Sequence, residues 1–298
     1  MTNSTSPPTQ AAPRCEAPSS QVQPASFDLP DQSCDTHAHV VSDDPRYPMV
    51  ADRSYTPPPA TEADYLAMLD ATGMGRGVLV QISVNGTDNS YMLTALRHNS
   101  DRLRGVAVVD PSIGASELAD LHAAGVRGTR LNVLFGGGVG FDGMETLAAK
   151  VAPLGWHLQL LVDARQLPEL MPRLTKLPVP VVIDHMGHMP ADLGVDHPAF
   201  VSLLTLVRDH GGWVKLSGAY RIDPQAPTYP AASAFAAALV AAAPTRCVYG
   251  SDWPHVAPPY AMPDTGWMRN LIGDWIPDPE VRHLVLVDNP ARLYDFTA

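Results

Sequence analysis

Residues 33–39 read SCDTHAH, and residues 61–71 read TEADYLAMLDA. The first is a short β-rich run. The second is rich in Ala and Leu, opens on a Thr suited to cap a helix, and is followed by Gly73. The same alternation runs outward to the C-terminus. Strands are expected over Ser33–His39, Gly77–Ser83, Gly105–Asp110, Gly128–Val133, His157–Val162, Val179–Asp184, Trp213–Ser217 and Cys247–Asp252. Helices are expected between them over Thr61–Ala71, Asp88–His98, Ser116–Ala124, Gly143–Ala152, Gln166–Thr175, Pro198–His210 and Ala231–Ala242. Asp264–Trp275 and Pro279–Leu286 close the chain before NPARLYDF. Such alternation predicts a parallel sheet with helical crossovers. Eight units in one α/β domain favour a closed (β/α)8 TIM barrel. An open doubly wound sheet is the rival, but no GxGxxG follows the first strand. Gly136-Gly137-Gly138 lacks the Lys-Ser/Thr of a phosphate loop.

The 298 residues suit one such domain, which typically needs about 250. Residues 1–30 stand apart: rich in Pro, Ser, Ala and Gln, they offer few large apolar side chains. They are expected to be a disordered leader, leaving 31–298 as the barrel domain. The formal charge is −11, which argues against nucleic acid or an anionic membrane surface as partner. It leaves room for a small anionic substrate, because a few Arg residues dominate a pocket locally. No apolar run approaches the ~20 residues that span a bilayer. Cys15, Cys34 and Cys247 are odd in number and lack CxxC spacing, so neither a disulfide framework nor a structural zinc site is expected. A reducing cytoplasm fits this usage best. The chain is equally compatible with a monomer and a homo-oligomer.

Three strand ends carry polar residues that a barrel filled by Val, Ile and Leu does not need. His37 and His39 are two apart, so both project to one face while Ala38 projects to the other. Such a pair binds a divalent metal or polarises an oxygen. Two core histidines satisfied by backbone groups are the plain alternative. Asp252 ends the eighth strand candidate, which in a closed barrel lies beside the first. It is thereby placed next to His37 and His39; a helix-capping Asp is the plain alternative. His185 follows the sixth strand in VVIDHMGH, with His188 in the loop beyond.

With these residues in view, the chain resembles the amidohydrolase superfamily, and within it the 2-pyrone-4,6-dicarboxylate lactonase-like branch. The resemblance runs from about Ser33 to Phe296. It rests on CDTHAHV, RSYTPPPAT, VQISVNGTDNSYML, GVRGTRLNV, VVIDHMGH, KLSGAYR, YGSDWPH and DNPARLYDF. It implies hydrolysis of a lactone ester of the kind met in aromatic catabolism. Asp252 would act as general base on water, with His37, His39 and His185 polarising the carbonyl. Tyr55, Ser83, Arg130, Arg221 and His255 would surround the substrate, the arginines reading carboxylates with their planar fork.

Two departures from the superfamily bear on cofactor and substrate. Arg130 stands where metal-dependent members usually carry Lys or Glu, and the only His near the fifth strand is His157, at its start. No cofactor is therefore expected to be required, although His37, His39 and Asp252 suit an adventitious divalent metal. Relatives in the dicarboxylate branch tend to carry a second Arg where this chain has Gly136. A sugar-acid lactonase, a metal-dependent amidohydrolase or decarboxylase, and a non-catalytic binding barrel remain alternatives.

Overall fold

A computed structural model describes residues 12–296. Eight parallel strands lie in sequential order: β1 (Cys34–Ala38), β2 (Arg76–Val80), β3 (Leu103–Ala107), β4 (Val126–Asn132), β5 (His157–Leu161), β6 (Val181–Ile183), β7 (Trp213–Leu216) and β8 (Cys247–Tyr249). The seam closes where β1 meets the end of β8. His39 N donates to Trp253 O at 2.8 Å, and Asp252 N donates to His37 O at 2.8 Å. This is the (β/α)8 barrel expected from the alternation, and every expected strand is present.

The crossover helices are α1 (Glu62–Thr72), α2 (Ser90–His98), α3 (Ala115–Ala123), α4 (Met144–Val151), α5 (Leu167–Leu174), α6 (Pro198–Asp209), the short α7 (Ala219–Ile222) and α8 (Pro230–Ala242). After β8 come α9 (Thr265–Trp275), α10 (Pro279–His283), a π-helical turn (Leu284–Asp288) and α11 (Asn289–Tyr294). Local chemistry sets the boundaries. Thr61 and Asp64 form a reciprocal capping box on α1, satisfying backbone donors that the helix itself leaves free. Among the described residues no helix is long and apolar enough to cross a membrane.

Apolar side chains of the strands, among them Val78, Val80, Val106, Val182 and Val248, cluster with Tyr294 and Phe296 from the chain's end. This apolar floor lies toward the strands' N-terminal ends. His157 belongs to it, with its ring edge-on to Tyr294 at 5.3 Å. It therefore lies at the end of the barrel away from the other candidate histidines.

The expected disordered leader is corrected in part. Residues 1–11 lie outside the described residues. Residues 12–30 run over the barrel with little regular structure and recurrent hydrogen bonds. Thr56 N donates to Pro13 O at 2.7 Å and Cys15 N to Thr56 O at 2.9 Å. Further along, Arg269 Nη2 donates to Gln23 O at 2.7 Å and Asn270 Nδ2 to Pro24 O at 2.9 Å. A Cβ at Gly266 would meet Gln23 O at 2.3 Å, so this close approach needs glycine in α9. Composition signals low burial but does not register backbone pairing with a partner distant in sequence.

Candidate active site

The C-terminal ends of the strands bring His37, His39, His185 and Asp252 together. The His37 ring lies 5.1 Å from that of His39 and 4.6 Å from that of His185. Asp252 Oδ1 is 3.9 Å from His37 Nε2 and 3.8 Å from His185 Nε2. All four residues are almost wholly buried. Asp252 is not in a strand as expected, because β8 ends at Tyr249. Its φ of +64° belongs to the left-handed region, which breaks the strand and turns the carboxylate over the barrel mouth. His185 has φ +50°. Strained backbone of this kind gathers where a site requires it.

The two oxygens of Asp252 have different surroundings. Oδ2 accepts from Tyr220 OH at 2.7 Å and from Arg221 Nε at 2.5 Å. Oδ1 has no hydrogen-bond partner among the described residues, and neither has His37 Nε2. Burial pushes the Asp252 carboxyl up, but the Arg221 guanidinium together with the His185 and His37 imidazoles holds the group well below the usual carboxylate range.

Burial keeps the three histidines neutral. It depresses His37 to about 4, against the opposing pull of Asp184, and holds His39 and His185 well below the usual imidazole value. Hydrogen bonds then assign their protons. His39 Nδ1 lies 2.7 Å from Val80 O. A carbonyl oxygen only accepts, so Nδ1 carries the proton and Nε2 is a bare acceptor. His185 Nδ1 faces Ser217 Oγ at 2.9 Å. That hydroxyl both donates and accepts; when it donates, Nε2 carries the proton and faces a substrate oxygen.

Beneath this cluster lies a polar layer that sequence reasoning missed. Asp184 Oδ1 is 3.3 Å from His37 Nδ1, and its Oδ2 accepts from Arg130 Nε and Gln159 Nε2, each at 3.1 Å. Lys215 Nζ donates to Thr36 O at 2.7 Å and Gln159 Oε1 at 2.8 Å, and lies 3.4 Å from His37 Nδ1. Burial brings Lys215 down to about 8. Signals were available: Asp184 directly precedes His185, and Gln159 and Lys215 interrupt apolar strands at inward positions.

Arg130 and Arg221, expected to read substrate carboxylates, already have carboxylate partners within the protein. Arg130 pairs with Asp184 and Arg221 with Asp252. Each still keeps one guanidinium nitrogen, Nη1, without a hydrogen bond among the described residues. Tyr55 OH and Ser83 Oγ are 3.2 Å apart, and the charges of Arg130 and Arg221 are both felt at the Tyr55 hydroxyl. His255 is turned toward α9, with Nε2 2.9 Å from Thr265 Oγ1, and its ring flanks Tyr220 at 5.4 Å. A Cβ at Gly136 would meet Asp52 O at 2.5 Å, so the loop of residues 52–54 occupies the space a side chain there would need.

His37, His185 and Asp252 offer ligand atoms within 4.8 Å of one another. Two imidazoles and a carboxylate suit zinc-like cations. The electrostatics oppose this fit. Around the trio stand Arg130, Lys215 and Arg221 against Asp35, Asp184 and Asp252, three cations to three anions, so an added dication would be uncompensated.

The amidohydrolase family model matches residues 34–296. A 2-pyrone-4,6-dicarboxylate hydrolase of Comamonas testosteroni is 38% identical over 280 residues, covering 90% of this chain and 92% of that protein. A 4-sulfomuconolactone hydrolase of Hydrogenophaga intermedia is 34% identical over 290 residues, covering 96% of each. Among solved structures, a putative 2-pyrone-4,6-dicarboxylic acid hydrolase from Pseudomonas putida superposes with a TM-score of 0.79 at 32% identity. That match covers 91% of this chain and 100% of the other.

Proposed function

The chain belongs to the amidohydrolase family, and from that premise we infer that it opens the ring of a small carboxylated or sulfonated lactone by base-assisted attack of water. The observation that carries this reading is the unpaired Asp252 Oδ1 between His37 Nε2 and His185 Nε2. Water held there loses a proton to Oδ1 as its oxygen bonds to the lactone carbonyl carbon. Negative charge then develops on the carbonyl oxygen, where His185 Nε2–H supplies a donor. Collapse of the tetrahedral intermediate breaks the ring C–O bond. The proton taken by Asp252 returns to the leaving oxygen, giving an open-chain acid.

His39 takes a different part from the carbonyl polarisation that the resemblance implies. With Nδ1–H committed to Val80 O, its neutral Nε2 accepts rather than donates. That suits it to orient a water O–H. Tyr55, Ser83 and the free Nη1 groups of Arg130 and Arg221 line the approach, and those two guanidinium edges favour an acidic substrate.

No metal is assigned a required role, because the fixed cations already compensate the carboxylates. A divalent ion held by His37, His185 and Asp252 would polarise the carbonyl and make bound water more acidic. The deciding experiment measures proton release by the purified protein against 2-pyrone-4,6-dicarboxylate, muconolactones and aldonolactones. Turnover of neutral aldonolactones alone would overturn the acidic-substrate reading. Turnover of none would overturn the hydrolase reading.

A further inference from the structure

The mouth of the barrel is bounded by more than barrel loops. A cavity of about 350 Å³ is lined by Arg14, Cys15 and Glu16 of the leader together with Tyr55, Ala257 and Tyr260. A second cavity, of about 400 Å³, is lined by Phe135, His188, Arg221 and the same Tyr260. Tyr260 lines both cavities, and Arg221, the partner of Asp252, lines the second. The leader is fixed at this place by backbone bonds. Pro13 O accepts from Thr56 N, Cys15 N donates to Thr56 O, and Ala12 O accepts from Thr56 Oγ1 at 3.2 Å. Thr56 directly follows Tyr55, whose hydroxyl meets Ser83 inside the site. The Cys15 thiol lies against the backbone of Ala257 and within the field of Arg221. A second anchor, at Gln23 and Pro24 on α9, keeps the segment from lifting away as a free end.

We propose that residues 13–16 are a wall of the substrate cavity, so that an acidic lactone binds against the leader as well as against the barrel loops. The acidic-lactone class rests on the function proposed above; the wall itself rests on the two cavities and the pairing with Thr56. Arg14 contributes a cation at the outer edge. Fixing Tyr55 through Thr56 sets how far that side chain reaches toward Ser83. The leader therefore acts on binding rather than on the chemical step.

Cys15 supplies the test, because Cys34 and Cys247 are buried. The full chain is treated with N-ethylmaleimide, with and without saturating pyridine-2,4-dicarboxylate, an unreactive planar dicarboxylate. Cys15→Ser identifies the labelled site. The dicarboxylate is expected to slow labelling by about fivefold or more. Labelled enzyme is expected to show KM for the turned-over lactone raised about tenfold with kcat within about threefold, the pattern of lost uniform binding. Deleting residues 2–16 is expected to reproduce that split. Labelling unaffected by the dicarboxylate, with unchanged KM after labelling, overturns the wall even if turnover is normal. Protection in a protein that opens no lactone removes the proposed activity and keeps the wall. Neither protection nor turnover removes both.

Discussion

Arg221 Nε sits 2.5 Å from Asp252 Oδ2, so the oxygen left to take a proton is Oδ1, which has no partner among the described residues. One carboxylate is thus held by one oxygen and free at the other. Asp252→Asn keeps the shape and removes the acceptor. Lactone hydrolysis is expected to fall at least ~100-fold, the usual scale of general base catalysis. Circular dichroism should be unchanged. Near-normal turnover in the folded variant would take Asp252 out of the mechanism.

Arg130→Met tests the pairing with Asp184. Removing the guanidinium leaves Asp184 buried, and breaking such a pair costs about 3–5 kcal/mol. The variant should lose stability to denaturant by that order, and turnover of acidic and neutral lactones alike. Adding Asp184→Asn should restore much of the stability. A stable Arg130→Met protein that loses only acidic lactones would return Arg130 to a purely substrate-binding role.

Stability should be acid-sensitive well above the carboxylate range. Burial lowers His37 and His255 to about 4, below the roughly 6.5 of a free imidazole. Between those values the unfolded chain binds more protons than the folded one. Their contribution is therefore complete above about pH 6.5 and is lost as pH falls toward 4. Each such histidine adds a slope of about 1.4 kcal/mol per pH unit at most. Urea midpoints at pH 7, 6 and 5 measure this. A flat profile down to pH 5 would show that these histidines are not held neutral.

The matched cations and carboxylates around the histidine–aspartate trio predict that activity survives exhaustive chelation. Metal analysis of the chelated enzyme, with assays before and after stoichiometric zinc, is the measurement. Activity lost on chelation and restored by metal would mean that the donor set outweighs the charge.

Gly266→Ala tests the docking of the leader. Within a helix, alanine alone is worth about 1 kcal/mol of stabilisation over glycine. Here its Cβ would meet the Gln23 backbone, so a lower thermal midpoint is expected instead. Deleting Met1–Gln23 should lower the midpoint as well. A rise for Gly266→Ala would show that the leader contributes no net docking energy.

Much of this was legible in the sequence because the relevant signals are local. Strand–helix alternation marked all eight strands, and polar residues breaking apolar strand ends marked His37, His39, His185 and Asp252. What stayed hidden depends on pairing across the barrel. An inward Lys215 reads as an alternating strand residue until Gln159 and Asp184 are seen across the interior. The partners of Arg130 and Arg221 could not be named because those carboxylates lie 54 and 31 residues away. The leader's low apolar content was visible; its backbone pairing with Thr56 was not.

The seam between β1 and β8 has a consequence for the order of events during synthesis. Asp35 and Ser251, 216 residues apart, are joined across it, and Asp252 meets His37 beside them. A ribosome-bound chain holding seven strands has its histidines but lacks Asp252, the proposed base. Contacts so distant in sequence form late. Under the proposed mechanism, catalytic competence and barrel closure arrive as one step, and a partly folded intermediate is silent toward substrate. Recovery of activity during refolding would then report directly on closure of the seam.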